Sequence, residues 1–93
     1  YPPAKRDLAF VIPDSRPVEE VISGIKKVGG DLLYSVTVED VYKGKPVPDD
    51  SRSVRISLKF YAHDRSLRDD EIEDIIENII TKSLQKFKIN IRL

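Results

Sequence analysis

Apolar positions along this chain repeat with two different periods, and the places where the period changes mark out the elements. Val54, Ile56, Leu58 and Phe60 alternate strictly with Ser53, Arg55, Ser57 and Lys59. Successive strand side chains point to opposite faces, so Ser53 to Tyr61 predicts a strand with one core face and one polar face. The run from Leu8 to Ile12 is apolar on both parities, as in a central strand. From Leu32 to Tyr42 the chain is again β-rich, but Val36 and Val38 share one phase whereas Val41 takes the other. A bulge near Glu39 and Asp40 would reconcile them, which suits an edge strand and brings Asp40 and Tyr42 onto the polar face. Ile89, Ile91 and Leu93 alternate with Lys88, Asn90 and Arg92 in a last strand, Lys88 to Leu93.

Between these lie two segments of helical period. Val18, Val21, Ile22, Ile25 and Val28 follow three-four spacing after Pro17, whose missing N–H is no loss in a first turn, and Gly29-Gly30 supplies a left-handed stop. Ile72, Ile75, Ile76, Ile79, Ile80, Leu84 and Phe87 form the stripe of a second helix. Asp69, Asp70 and Glu71 sit at its positive end. The order β-α-β-β-α-β predicts an α+β, ferredoxin-like sandwich: a four-stranded antiparallel sheet in the order 4-1-3-2, with both helices on one face and the other face open.

Length narrows this to a single domain over residues 1–93. The chain has no cysteine, so disulfides and thiolate metal sites are excluded. Its longest apolar run is far too short to span a bilayer, and a soluble protein without membrane partners is expected. Net charge is zero, 16 Lys+Arg balancing 16 Asp+Glu, but the distribution is uneven. Lys43, Lys45, Arg52, Arg55, Lys59, Arg65 and Arg68 against Asp49, Asp50 and Asp64 make a local +4, while residues 69–80 carry six acids and no base.

Catalytic chemistry finds little material. His63 is the only histidine, in a loop without a nearby nucleophile, and reads as a surface residue rather than a general base. The acidic run Asp69-Asp70-Glu71 lacks EF-hand spacing and is explained by the helix terminus. Gly29-Gly30 follows a helix instead of preceding one, so it is no phosphate loop. No catalytic residue, metal site or cofactor is expected in this domain.

Binding remains. The polar face collects Asp7, Ala9 and Val11, then Asp40 and Tyr42, then Ser53, Arg55, Ser57, Lys59 and Tyr61, with Lys88, Asn90 and Arg92 from the last strand. A small floor, an aromatic wall, hydroxyls and cations suit unstacked RNA bases. On composition alone, a merely solvated face is the simpler reading. The glycine- and aromatic-rich third-strand signature of common RNA-recognition domains is absent from SVRISLKFY. The basic loop from Lys43 to Arg52 is expected to meet phosphate.

Taken in order, Tyr1-Pro2, RDLAF (6–10), DVYKG (40–44), Ser53 and RSLRDDEI (65–72) resemble the ferredoxin-fold anticodon-binding domain that ends the β subunit of bacterial phenylalanyl-tRNA synthetase. The resemblance covers essentially the whole chain. It implies a non-catalytic module, excised from the C-terminus of a larger cytoplasmic chain, that binds the anticodon loop of phenylalanine tRNA. Its partners would then be that tRNA, the other β-subunit domains and the catalytic α subunit, with ATP and magnesium used by those other parts of the ligase. By position, the resemblance carries base contacts to Ala9, Asp40, Tyr42 and Ser53, and to Phe87, Lys88 and Asn90 in the final strand region; Arg55, from the polar face, and Lys43, from the basic loop, complete the candidate RNA contacts. Lys43 stands where the family often has arginine, and Arg68 where a capping Thr or Ser is common. A small-molecule-sensing or protein-docking domain of the same fold is the alternative.

Overall fold

The computed structural model describes residues 2–87 and 90–92, with side chains as far as residue 82. Strand β1 (Ala4–Pro13) is followed by helix α1 (Val18–Gly29), a short 3₁₀ turn (Gly30–Leu32) and strand β2 (Leu33–Tyr42). Strand β3 (Ser51–Phe60), helix α2 (Asp69–Phe87) and strand β4 (Asn90–Arg92) complete the chain. The strands pair antiparallel in the order β2-β3-β1-β4. Doubly apolar β1 is therefore interior, and β2 is an edge.

Both central strands run further than the apolar pattern alone marks. β1 begins at Ala4 and stays in register with β3 from Ala4 opposite Phe60 to Pro13 opposite Ser51. The bulge expected near Glu39 is present: the β2–β3 register shifts between Val38, opposite Ile56, and Asp40, opposite Arg55. A second shift lies between Leu33 and Ser35, at Tyr34, where the sequence alone gives no parity break.

The core forms where the apolar parities of the sheet meet the helix stripes. Phe10, Ile12, Val54, Ile56, Leu58 and Phe60 pack with Val21 and Ile25 of α1 and Ile72 and Ile79 of α2 in one buried cluster. Val38 and Val41 share the core parity of β2 yet remain exposed on this edge strand. The expected core positions Leu84 and Phe87, and the inward parity of Ile89 and Leu93, lie outside the described side chains.

Helix ends follow local chemistry with small departures from expectation. Pro17 is the N-cap itself, in extended conformation, and α1 starts one residue later; Arg16 bridges Glu20 at 2.9 Å across the first turn. Of the two glycines at its end only Gly30 is left-handed, with φ 69°. Gly29 keeps helical geometry at φ −65° and is small for another reason: a Cβ there would lie 2.3 Å from Leu33 Cδ2 and 2.8 Å from Leu33 Cβ. At α2 the N-cap position is Arg68, which has no capping hydroxyl. Glu71 supplies its own half of a capping box, its Oε1 accepting the Arg68 backbone N–H at 3.1 Å, and the Glu71 N–H donates to Asp70 Oδ1 at 3.0 Å in place of an N-cap hydroxyl.

Candidate functional site

Residues directly opposite in an antiparallel pair share a face, so the ladder registers assemble the helix-free face row by row. One row reads Val11, Ser53, Tyr42, with Asn90 as the register partner of Val11 in β4. The next reads Ala9, Arg55, Asp40, with Arg92 paired to Ala9. Ala9, Asp40, Tyr42, Ser53 and Arg55, singled out from sequence, thus occupy two adjacent rows. Lys88 lies outside the described residues. Beyond these rows stand Asp7, Ser57 and Thr37, then Lys5, Lys59 and Ser35.

The bulge at Glu39 makes this assembly possible. Without the extra residue, Asp40 and Tyr42 would keep the parity of Val36 and Val38 and turn toward the helices. With it, Tyr42 stands beside Ser53. Its hydroxyl donates to the Lys45 carbonyl at 2.8 Å, which folds the phenol ring along the β2–β3 loop while 41% of the residue stays exposed. Gly44, at φ 133°, lies beneath the ring; a Cβ there would come 3.0 Å from the Tyr42 hydroxyl.

The face is less evenly wet than its polar composition suggests. Ser53 and Ser57 are 5% and 2% exposed, because short side chains on a central strand sit below their longer neighbours on both sides. Ser57 Oγ is buried with no hydrogen-bond partner among the described residues. Arg55 and Lys59 rise above this floor and are exposed.

The basic loop is tied down at both ends. Lys43 Nζ pairs with Asp14 Oδ2 and donates to the Ser51 carbonyl at 3.2 Å, which ties the start of the loop to the turn after β1. Arg52 takes the core parity and donates to the carbonyls of Pro13 and Arg16, both at 2.9 Å, with Asp14 Oδ1 3.6 Å away. These two cations hold the loop on the body of the protein. Arg65 and Arg68 are also engaged, by Glu71 and Asp70. Of the seven basic residues behind the local +4, only Lys45, Arg55 and Lys59 make no ion pair among the described residues. Opposite charges separated in sequence lie together in the fold.

The acidic start of α2 is likewise occupied. Asp69 accepts Arg6 at 3.1 Å, Asp70 accepts Arg68 at 3.0 Å, and both Glu71 oxygens accept Arg65 at 2.7 and 2.8 Å. Hydrogen bonds from Arg65 and then from the Arg68 backbone lower the Glu71 pKa to about 2. Its carboxylate in turn raises that of Arg65. Among the described residues no group of three or more His, Cys, Asp or Glu side chains is placed to hold a metal ion. No described helix is long and apolar enough to cross a membrane. His63 is exposed in the turn before α2.

A family model described as the ferredoxin-fold anticodon binding domain matches residues 1–92. Among curated relatives, the phenylalanine–tRNA ligase β subunit of Haemophilus influenzae is 36% identical over 99% of the chain. That of Trichormus variabilis is 38% identical and that of Thermotoga maritima 35%, again over 99% of the chain. The chain spans only 11–12% of the length of these relatives.

Proposed function

The chain belongs to the ferredoxin-fold anticodon binding domain family, and from that premise we propose that it binds the anticodon loop of phenylalanine tRNA through the open face of its sheet. In this reading it acts as a non-catalytic module of a phenylalanine–tRNA ligase β subunit. The observation that carries the proposal is the pair of adjacent rows Val11–Ser53–Tyr42 and Ala9–Arg55–Asp40. They bring together an exposed ring, a carboxylate, a guanidinium and a small floor over two strand positions.

Each group has a separate task. The Tyr42 ring offers a stacking plane, and Ala9 leaves room beneath a base laid against it. Asp40 accepts from the amino or imino groups of a base edge, and the Ser53 hydroxyl supplies a second polar contact beside the ring. Arg55 stacks or binds phosphate through its planar fork. Lys43 serves by bracing the loop behind Tyr42. Asn90, the ladder partner of Val11, and Lys88, which lies outside the described residues, complete the proposed RNA contacts.

In this reading, amino-acid activation with ATP and magnesium belongs to other parts of the ligase. The partners are then phenylalanine tRNA, the remaining β-subunit domains and the catalytic α subunit, in the cytoplasm. A titration of the ¹⁵N-labelled chain with a phenylalanine anticodon stem-loop tests the proposal. Shifts should concentrate at residues 40–42 and 53–55 and near Ala9. Shifts confined to the helix surface would overturn it.

A further inference from the structure

We infer that the same face carries a separate seat for the RNA sugar-phosphate backbone, built from Lys5, Lys59 and Ser35; this rests on the anticodon-loop reading above. Lys5 and Lys59 are direct partners in the β1–β3 ladder, and Ser35 is the partner of Lys59 in the β2–β3 ladder. The three residues therefore form one row of the open face. Like charges directly opposite across a ladder destabilise the sheet that carries them. Nothing relieves this pair: both lysines are exposed and neither makes an ion pair among the described residues.

Six cations among the described residues contrast with these two. Arg6, Arg16, Lys43, Arg52, Arg65 and Arg68 all meet carboxylates. The nearest acid on the same face is Asp7, one row away and diagonal to Lys59, and it makes no ion pair with either lysine. Two successive phosphodiesters set against the two ammonium groups would neutralise both, with the Ser35 hydroxyl able to donate to one of them.

The position suits a strand of RNA already held at the other end of the face. Lys59 lies six residues along β3 from Ser53, the partner of Tyr42, about 20 Å at strand rise. That is within the reach of a short single-stranded stretch leaving the Tyr42 row. The rows then divide the work, with the Tyr42 and Asp40 rows reading bases and the Lys5–Lys59 row holding the backbone without regard to sequence.

Salt dependence of binding to the phenylalanine anticodon stem-loop separates these roles. Neutralising each lysine, K5Q or K59Q, should reduce the slope of log K against log salt by about 0.7, the value for one single-strand phosphate contact. The double variant should lose about twice that, and should weaken cognate and anticodon-scrambled loops by the same factor. K59R, which keeps the charge, should retain the wild-type slope. A double variant of native fold with an unchanged slope, alongside a wild type that prefers the cognate loop, overturns this inference and leaves the anticodon reading standing. A wild type that binds neither loop removes both.

Discussion

Tyr42 and Ser53 stand directly opposite each other across the β2–β3 ladder, although ten residues of sequence lie between Tyr42, the end of β2, and Ser53, the third residue of β3. The loop between them is held in place by its own chain: Tyr42 donates to the Lys45 carbonyl, Val47 N–H donates to the Gly44 carbonyl at 2.8 Å, and Lys43 meets Asp14. Tyr42→Phe removes the hydroxyl bond and keeps the ring. Chemical denaturation should record a loss of about 0.5–1.5 kcal/mol, the net value of one such hydrogen bond. RNA affinity should stay within a few-fold of wild type. A large loss of affinity in Tyr42→Phe would mean that the hydroxyl, not the ring, carries the contact.

Arg52 and Arg55 lie three residues apart on β3 and should respond to truncation in opposite ways. The Arg52 side chain is 15% exposed and donates to two backbone carbonyls, so Arg52→Ala leaves both acceptors without their charged donor. A cost of about 2–3 kcal/mol in urea unfolding is expected. Arg55 is exposed and makes no ion pair among the described residues. Arg55→Ala should change stability by no more than about 0.5 kcal/mol and show its effect in RNA binding instead.

Glu71 makes the stability of the α2 entry dependent on pH. Its folded pKa of about 2 lies below the ordinary 4.5, so the unfolded chain takes up the proton first. The stabilisation is fully present above about pH 4.5 and is lost as pH falls toward 2. The stability difference between wild type and Glu71→Gln should shrink across that window and be constant above it. Carboxyl ¹³C titration should place the Glu71 midpoint near 2 and show it moving up toward 4.5 in Arg65→Gln. An unmoved midpoint in that variant would contradict the assigned cause.

Gly29 and Gly30 are neighbours with different reasons to be glycine. Gly29→Ala drives a methyl into Leu33, including its Cβ at 2.8 Å, and overpacking of this kind costs about 1–3 kcal/mol. Gly30→Ala meets open space, and its cost of about 1–3 kcal/mol comes from the backbone at φ 69° and ψ −156°. Trimming Leu33 to Ala in each background tells them apart by thermal denaturation. The double change should recover part of the Gly29→Ala loss and none of the Gly30→Ala loss.

Parity carried much of this structure into the sequence. The alternation of Val54 to Phe60 identifies β3, and the phase break between Val38 and Val41 locates the bulge that turns Asp40 and Tyr42 outward. Side-chain pairing was not legible in the same way. Lys43 and Asp14 are 29 residues apart, and Arg52 reaches carbonyls 36 and 39 residues away, so no local pattern reveals that the basic loop is neutralised from within. The burial of Ser53 and Ser57 was hidden for a related reason. Residue type marks the face a serine occupies, but the size of its cross-strand neighbours decides whether water reaches it.

The most direct test of the central claim is the affinity of the chain for a phenylalanine anticodon stem-loop, measured for wild type and Tyr42→Ala by calorimetry or fluorescence anisotropy at one fixed salt concentration. Loss of one base–aromatic stack corresponds to about 1–3 kcal/mol, so Tyr42→Ala should bind about 5- to 150-fold more weakly. The wild type should also prefer the cognate loop over one with a scrambled anticodon. Equal binding by the two proteins, or no preference by the wild type, would contradict recognition of the anticodon by this face.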